Sequence, residues 1–137
     1  MVLRLELMGA LLRLSGWQDS RATVVGPAMG SDERYRRFRH LLEREFAAHH
    51  QVQHYARALG TSEKTLGRIC LAATGEPAKA IINHRLVLEA KRLLAHTTQP
   101  VQNIAGDLGF AEATHFVKFF KKMAGVTPLE FRRAVPS

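Results

Sequence analysis

The sequence predicts an all-α protein made of two helix-turn-helix subdomains joined by a long connecting helix, with an amphipathic helix and a linker ahead of them. Three observations predict this class. Apolar residues recur at helical spacing, no segment from residue 33 onward alternates like a β-strand, and one alanine–glycine pattern occurs twice. The 137 residues, 46% of them apolar, suffice for one ordinary domain or two very small ones with a core.

The N-terminal 32 residues differ from the rest of the chain. Residues 1–15 carry leucines mostly at helical spacing, which predicts an amphipathic helix that nothing else in the chain is built to cover. We interpret this helix as a small dimerisation helix. Residues 16–32 mix glycine, proline and small polar residues without a period, which is typical of a linker.

From residue 33 onward the pattern is helical, and the helices are sharply punctuated. A first helix buries one apolar face made of Tyr35, Phe38, Leu42 and Phe46. We predict a first helix-turn-helix over 52–75, a connecting helix over 77–97 with Pro77 in its first turn, and a second helix-turn-helix over 101–124. The predicted helix ends are an N-cap at Ser62, a left-handed C-cap at Gly75, and a capping box between Thr127 and Glu130.

The two short helix pairs repeat one constellation. Ala56 precedes Gly60 by four residues, and Ala105 precedes Gly109 by four, with 49 residues between the glycines. A small alanine lets the second helix cross closely over the first, and a glycine accepts the conformation of the turn. Apolar anchors follow each glycine, but one residue later in the second copy, so we expect a slightly longer second turn. The anchors are Leu66 and Ile69, then Phe116 and Phe119.

The charge of the chain is concentrated in its helical part. Lys and Arg number 20 against 12 Asp and Glu, for a net charge of +8, and residues 1–32 hold three of each sign. The whole excess therefore lies in residues 33–137, which indicates a polyanionic partner. A basic protein that simply stays soluble is the alternative, and the isoelectric point does not separate the two.

Compartment and membrane signals are weak. Cys70 is the only cysteine, so no internal disulfide forms, and its apolar neighbours predict a buried, inert thiol. Arg4, Glu6 and Arg13 interrupt the leucine-rich N-terminus, which therefore lacks the apolar core of a signal peptide. No stretch approaches the ~20 apolar residues of a membrane span. We expect a cytoplasmic protein without a membrane partner.

Residue patterns that carry catalytic chemistry are missing from the sequence. Without a Gly-rich phosphate loop or a nucleophile constellation, we expect neither an enzyme nor a bound cofactor. His49, His50 and His54 include an i, i+4 pair that suits a metal ion, but no carboxylate or cysteine follows at ligand spacing. We interpret them as surface histidines and predict no metal site.

Four segments of the chain carry a family resemblance. They are "ALGTSEKTLGRICLAATG" (58–75), "RLVLEAKRLLAHT" (85–97), "IAGDLGF" (104–110) and "FVKFFKKMAGVTPLEFRR" (116–133). Through them residues 33–135, about three quarters of the chain, resemble the DNA-binding domain of the AraC/XylS family of bacterial transcription regulators.

The resemblance implies two helix-turn-helix subdomains, each placing its second helix in the major groove of DNA. A connecting helix of about 20 residues spans roughly 30 Å, close to the ~34 Å between successive groove segments on one face of DNA. Larger members of the family carry a sensor domain ahead of this region, so the resemblance also implies that residues 1–15 are the remnant of a sensor or dimerisation domain.

On the first recognition helix, Arg68 is the strongest candidate for base readout, because its guanidinium can bind guanine through two hydrogen bonds. Lys64 lies one turn earlier on the same face, Thr65 lies beside it, and Ser62 is a phosphate candidate. The competing interpretation is a solvated pair of charges on an ordinary helix. Gly67 costs about 1 kcal/mol in mid-helix, which close approach to DNA or the lack of a contact there would explain.

On the second recognition helix, the resemblance implies that Thr114, His115 and Lys118 face the groove as base-readout candidates. Lys121 and Lys122 lie a turn further on and are phosphate candidates. Ala111 stands where a capping serine is frequent in the family, so Glu112 or the helix dipole alone serves this N-terminus.

The sequence as a whole indicates a sequence-specific regulator that binds double-stranded DNA, with RNA polymerase and a second copy of the chain as further partners. A basic helical protein-interaction module without specific DNA readout is the alternative. Arg85 in the connecting helix has two interpretations, as a phosphate contact or as a bridge to carboxylates between subdomains.

Overall fold

The computed structural model describes residues 30–136, except for the side chain of Ser31. Within that range every regular element is an α-helix, so the predicted all-α class is confirmed. The predicted helix over residues 1–15 and most of the linker lie outside the described residues, and residues 31 and 32, assigned to the linker, are helical. The helices are α1 (Ser31–Glu45), α2 (Val52–Ala58), α3 (Glu63–Thr74), α4 (Ala78–His96), α5 (Val101–Asp107), α6 (Ala113–Ala124) and α7 (Pro128–Ala134).

The helix pairs α2–α3 and α5–α6 are structural repeats of each other. Helices α2 and α5 have 7 residues each, and α3 and α6 have 12 each. The backbone hydrogen bonds that close the two turns correspond one to one at a spacing of 49 residues. In the first turn the amides of Leu59, Gly60 and Thr61 donate to Tyr55, Arg57 and Ala56, and in the second those of Leu108, Gly109 and Phe110 donate to Ile104, Gly106 and Ala105.

The spacing changes from 49 to 50 residues inside the second turn. The left-handed glycines Gly60 and Gly109 are 49 apart, whereas the C-caps of α3 and α6, Gly75 and Gly125, are 50 apart. The extra residue therefore lies between Gly109 and the start of α6, as the sequence predicts. Both recognition helices keep the same length and the same left-handed C-terminal cap.

The helix starts follow the sequence prediction with one small difference. Ser62 caps α3 by accepting a hydrogen bond of 3.1 Å from the Thr65 amide. Thr127 and Glu130 form the predicted capping box, with bonds of 3.1 and 2.8 Å. Pro77, predicted in the first turn of the connecting helix, is instead the extended N-cap residue before it.

The residues from Tyr35 onward form one compact unit with a continuous apolar core. Helix α4, which is 19 residues and about 28 Å long, packs against α2, α3, α5, α6 and α7. Both helix-turn-helix pairs therefore pack against the same helix, α4. The largest fully buried side chains in this core are Tyr55, Phe38, Phe116, Phe120, Leu42, Leu66, Ile82, Leu86, Leu94, Ile104 and Pro128.

Cys70 lies in this core at the position that Phe120 occupies in the second repeat. Its side chain is fully buried, and burial raises the pKa of the thiol to about 11. A thiol that stays protonated and out of contact with solvent is a poor nucleophile, so the predicted inert cysteine is confirmed.

Among residues 30–136, no helix combines the length and apolar character that crossing a membrane requires.

Candidate nucleic-acid interface

Helix α3 has one buried face and one polar face. Leu66 and Cys70 are fully buried and Ile69 is nearly so. The predicted base-readout residues Lys64 and Arg68 are exposed on the opposite side, and Thr65 between them is half-buried. The structure thus presents the first predicted reading surface to solvent.

The start of α3 is organised by two hydroxyl groups. The Ser62 Oγ accepts from the Thr65 amide and donates to the Thr65 Oγ1, 3.0 Å away. The Ser62 hydroxyl lies at the exposed N-terminus of α3, where backbone amides and the helix dipole favour an anion, and its rotation away from Thr65 would free its proton for a phosphate oxygen. This placement is compatible with a phosphate contact.

Helix α6 has the same two-sided construction, with aromatic residues in place of aliphatic ones. Phe116 and Phe120 are fully buried, and Phe119 is partly buried against the core. The Phe110 ring lies 5.4 Å from the rings of both Phe116 and Phe119, so the aromatic cluster anchors α6 on the turn before it. The predicted residues Thr114, His115, Lys118, Lys121 and Lys122 are all exposed.

Most of the cations on these two faces form no ion pair. Among the described residues, Lys64, Arg68, Lys118 and Lys122 take part in no ion pair, whereas Lys121 lies near enough to Glu130 to help lower the pKa of that carboxyl. The main cause of that lowered pKa is the hydrogen bonding of Thr127 to Glu130. A surface whose positive charges are not neutralised internally attracts a polyanion.

The N-terminus of α6 is less favourable for an anion than that of α3. Glu112 is the N-cap residue and its side chain accepts no capping bond, so of the two predicted alternatives the helix dipole alone serves this end. The Thr114 hydroxyl lies 3.4 Å from a Glu112 carboxylate oxygen. An acidic group here repels phosphate, whereas the exposed lysines further along α6 favour an anion.

Arg85 connects α4 to the C-terminal end of α1 through two contacts. Its Nε donates to Glu43 over 2.6 Å, and its guanidinium carbon lies 4.1 Å from the centre of the Phe46 ring. The hydrogen bond from Arg85 is also the main reason why the pKa of Glu43 is lowered. Of the two interpretations of this arginine, the structure supports the bridge, which ties α4 to α1.

The histidines form contacts that the sequence analysis missed. The Nε2 of His50 lies 2.7 Å from the Leu108 carbonyl, to which it donates, and His49 stacks on His54 with ring centres 3.6 Å apart. A carboxylate does lie within reach of this stack, but it comes from Glu45, which precedes the histidines in the chain. A search upstream as well as downstream would have found it.

The geometry agrees with known proteins. A family model described as a helix-turn-helix domain matches residues 55–134, more than half of the chain. A solved transcriptional regulator from Chromobacterium violaceum, described as having an AraC-type DNA-binding domain, is similar with a TM-score of 0.66 and 24% identity, over 79% of this chain and 98% of that one. The chain belongs to the AraC/XylS family.

Other members of the AraC/XylS family give the same result. The HTH-type transcriptional activator RhaS from Enterobacter sp. is 28% identical over 82% of the chain, and RhaS from Escherichia fergusonii is 31% identical over 76%. The chain spans 41% and 38% of the lengths of these two relatives. The described domain thus corresponds to well under half of a RhaS protein.

Solved AraC/XylS structures also share the fold. The C-terminal domain of AraT, a response regulator from Geobacillus stearothermophilus, has a TM-score of 0.70 and 26% identity, over 76% of this chain and 88% of that one. The DNA-binding domain of AdpA, solved in complex with a target DNA, has a TM-score of 0.64 and 24% identity, over 78% of this chain and 93% of that one.

Proposed function

We propose that this chain is the DNA-binding part of a bacterial transcription regulator and that α3 and α6 read two successive major-groove segments of one duplex. One observation carries the proposal. Two helices of equal length each bury an apolar face against their own helix-turn-helix partner and present a polar face, most of whose cations form no ion pair with another described residue. Family membership and the DNA complex of the similar AdpA domain support the same conclusion.

The residues divide into those that read bases and those that hold the backbone. We propose that Arg68 and Lys118 contact guanine, because both are exposed cations at the middle of their helices. Lys64, Thr65, Thr114 and His115 supply further hydrogen bonds to base edges or to nearby phosphates. Ser62, Lys121 and Lys122 lie nearer the helix ends and position the domain on phosphates.

The length of α4 favours simultaneous binding by both helices. At about 28 Å it is comparable to the ~34 Å helical repeat of DNA. One chain would then occupy two groove segments on one face of the duplex without a partner subunit.

Selection of preferred sequences from a random duplex pool tests the proposal, followed by anisotropy titrations at two salt concentrations. We expect a preferred site with two informative segments, and a log K that falls with log [salt] at a slope of about −0.9 per neutralised phosphate. The alternative, a basic protein-interaction module, predicts little affinity for any duplex at either salt concentration.

Gly67 offers a sharper test of how closely α3 approaches DNA. An alanine Cβ at Gly67 or at Gly106 in α5 meets no other atom within 4 Å. Each substitution should therefore stabilise the fold by up to about 1 kcal/mol in urea unfolding, because alanine favours a helix over glycine. We expect Gly67→Ala to weaken binding to the preferred duplex several-fold and the control Gly106→Ala to leave it unchanged. Unchanged binding by both variants would mean that the α3 backbone lies away from the DNA at residue 67.

Two further partners are proposed for this protein, RNA polymerase and a second copy of the chain. The RhaS relatives are named transcriptional activators, so we propose RNA polymerase as a protein partner and the bacterial cytoplasm as the location. We expect no enzymatic activity. Dimerisation through residues 1–15 is a separate proposal that light scattering tests, since a monomer at every concentration contradicts it.

A further inference from the structure

Three side chains with metal-binding atoms meet where α1 ends and α2 begins. The Nε2 of His54 lies 2.5 Å from a Glu45 carboxylate oxygen. The ring of His49 is stacked on that of His54, with an angle of 6° between the ring planes. One ligand atom from each of Glu45, His49 and His54 lies within 4.8 Å of the other two.

The backbone that carries this cluster is held in place by several hydrogen bonds. The fully buried Tyr55 donates its hydroxyl proton to the His49 carbonyl over 2.7 Å. The amide of His49 donates to the Glu45 carbonyl over 2.9 Å, and Lys79 donates to the His50 carbonyl, also over 2.9 Å. The backbone segment that carries Glu45 and His49 is therefore held in place before any ion binds.

We propose that Glu45, His49 and His54 bind one Zn²⁺ ion, with water completing its coordination. Two imidazole nitrogens and one carboxylate oxygen are a donor set that zinc accepts with three protein ligands. Imidazole ligands favour Zn²⁺ and similar transition-metal ions over Mg²⁺ and Ca²⁺, which prefer oxygen. The ligand atoms of a tetrahedral zinc site lie about 3.3 Å apart, given metal–ligand bonds of about 2.0 Å. Because the in-plane lone pairs of two parallel stacked imidazoles do not converge, the His49 ring must turn out of its stack on His54 for both nitrogens to reach one ion.

A plain ion pair between Glu45 and His54 does not account for the whole arrangement. Such a pair needs only two residues, yet His49 stacks on the far side of His54 and brings a third donor within reach. The chain contains a natural comparison in Glu76 and His84, whose carboxylate and imidazole lie 3.2 Å apart. Among the described residues that second pair has no third donor gathered around it.

Calorimetric titration of the untagged, metal-free full chain with ZnCl₂ tests the site. We expect one equivalent of zinc to bind to the wild-type chain with an affinity in the micromolar range. His49→Gln and His54→Gln should each weaken binding at least about tenfold, since each removes one of three ligands. The matched control His84→Gln should bind zinc as the wild type does.

A second measurement keeps the test valid if a variant is poorly folded. In the wild-type chain, stoichiometric Zn²⁺ should shift the imidazole NMR signals of His49 and His54 and leave those of His84 unchanged. Zinc should also raise the thermal unfolding midpoint of the wild type and of His84→Gln, because the ion binds the folded state. No saturable binding at one equivalent, or NMR shifts confined to other histidines, would overturn the proposal. Unchanged affinity in a folded His49→Gln variant would do so as well.

Discussion

Gly109→Ala should destabilise the domain far more than Gly60→Ala, although the two glycines hold equivalent places in the two turns. Both have left-handed backbones, with φ of 69° at Gly60 and 87° at Gly109. An alanine Cβ at Gly60 would meet no atom within 4 Å, whereas at Gly109 it would lie 2.1 Å from the Ala47 carbonyl oxygen and 3.0 Å from the His50 Nε2. The carbonyl is backbone and cannot rotate away.

The two costs differ in kind. Gly60→Ala carries only the left-handed penalty of about 1–2 kcal/mol. Gly109→Ala adds an overpacking penalty of about 1–3 kcal/mol, and the forced movement also disturbs the hydrogen bond between His50 and the Leu108 carbonyl. Urea unfolding followed by circular dichroism gives both losses, provided that the two variants have the same m-value.

Gly109→Ala alone could leave the chain largely unfolded. Combining it with the stabilising Gly67→Ala substitution then keeps its urea unfolding measurable. Equal losses of stability in Gly60→Ala and Gly109→Ala would mean that the loop after α1 moves aside without an energetic penalty. The contact between that loop and the second turn would then contribute nothing to the free energy of unfolding.

Arg68→Ala and Lys118→Ala should each abolish the preference for one guanine in the selected site. Loss of a direct base contact should cost about 1–3 kcal/mol on the preferred duplex and little on a duplex already mutated at that base pair. Because Arg68 and Lys118 lie on different recognition helices, the two relaxed positions should be about 10 base pairs apart. Titrations against a panel of single-base-pair variants locate both positions.

One lysine variant and one arginine variant serve as controls for these measurements. Lys121→Ala removes a phosphate candidate, so it should weaken all duplexes by the same factor and reduce the salt slope by about 0.9. Arg92→Ala removes an exposed arginine of α4 that is paired with Glu89 through bonds of 2.6 and 3.0 Å, and it should leave binding unchanged. If Arg68→Ala behaves like Lys121→Ala, Arg68 contacts phosphate and the assignment is wrong.

Features set by local sequence were predictable. The alanine–glycine spacing located both turns, and the later apolar anchors indicated that the second turn is longer by one residue. Ser62, Gly75 and the Thr127–Glu130 box marked helix ends because capping depends on residues within one turn of each other. The exposed faces of α3 and α6 followed from helical periodicity in the same way, so the exposure of the predicted reading residues was predictable, whereas their contact with DNA remains a proposal.

Features that depend on tertiary contacts were not predictable. The Ala47 carbonyl lies close to Gly109 although the two residues are 62 positions apart in the sequence, and no local sequence pattern predicts this contact. The Glu45, His49 and His54 cluster depends on a bend between α1 and α2, which places His54 against residues that a continuous helix would hold elsewhere. Arg85 could not be assigned for a similar reason, since its partner Glu43 lies 42 positions away.

The packing of both helix-turn-helix pairs against α4 also affects how the DNA sequence preference of such a regulator can evolve. In the proposed arrangement, a substitution on the exposed face of α3 or α6 would alter one half of the recognised site and leave the other half intact. A substitution at a buried α4 position such as Leu86 or Leu94 acts on the packing of the whole domain. New target sequences are therefore accessible by stepwise, independent changes in each half, while the scaffold between them is constrained by both.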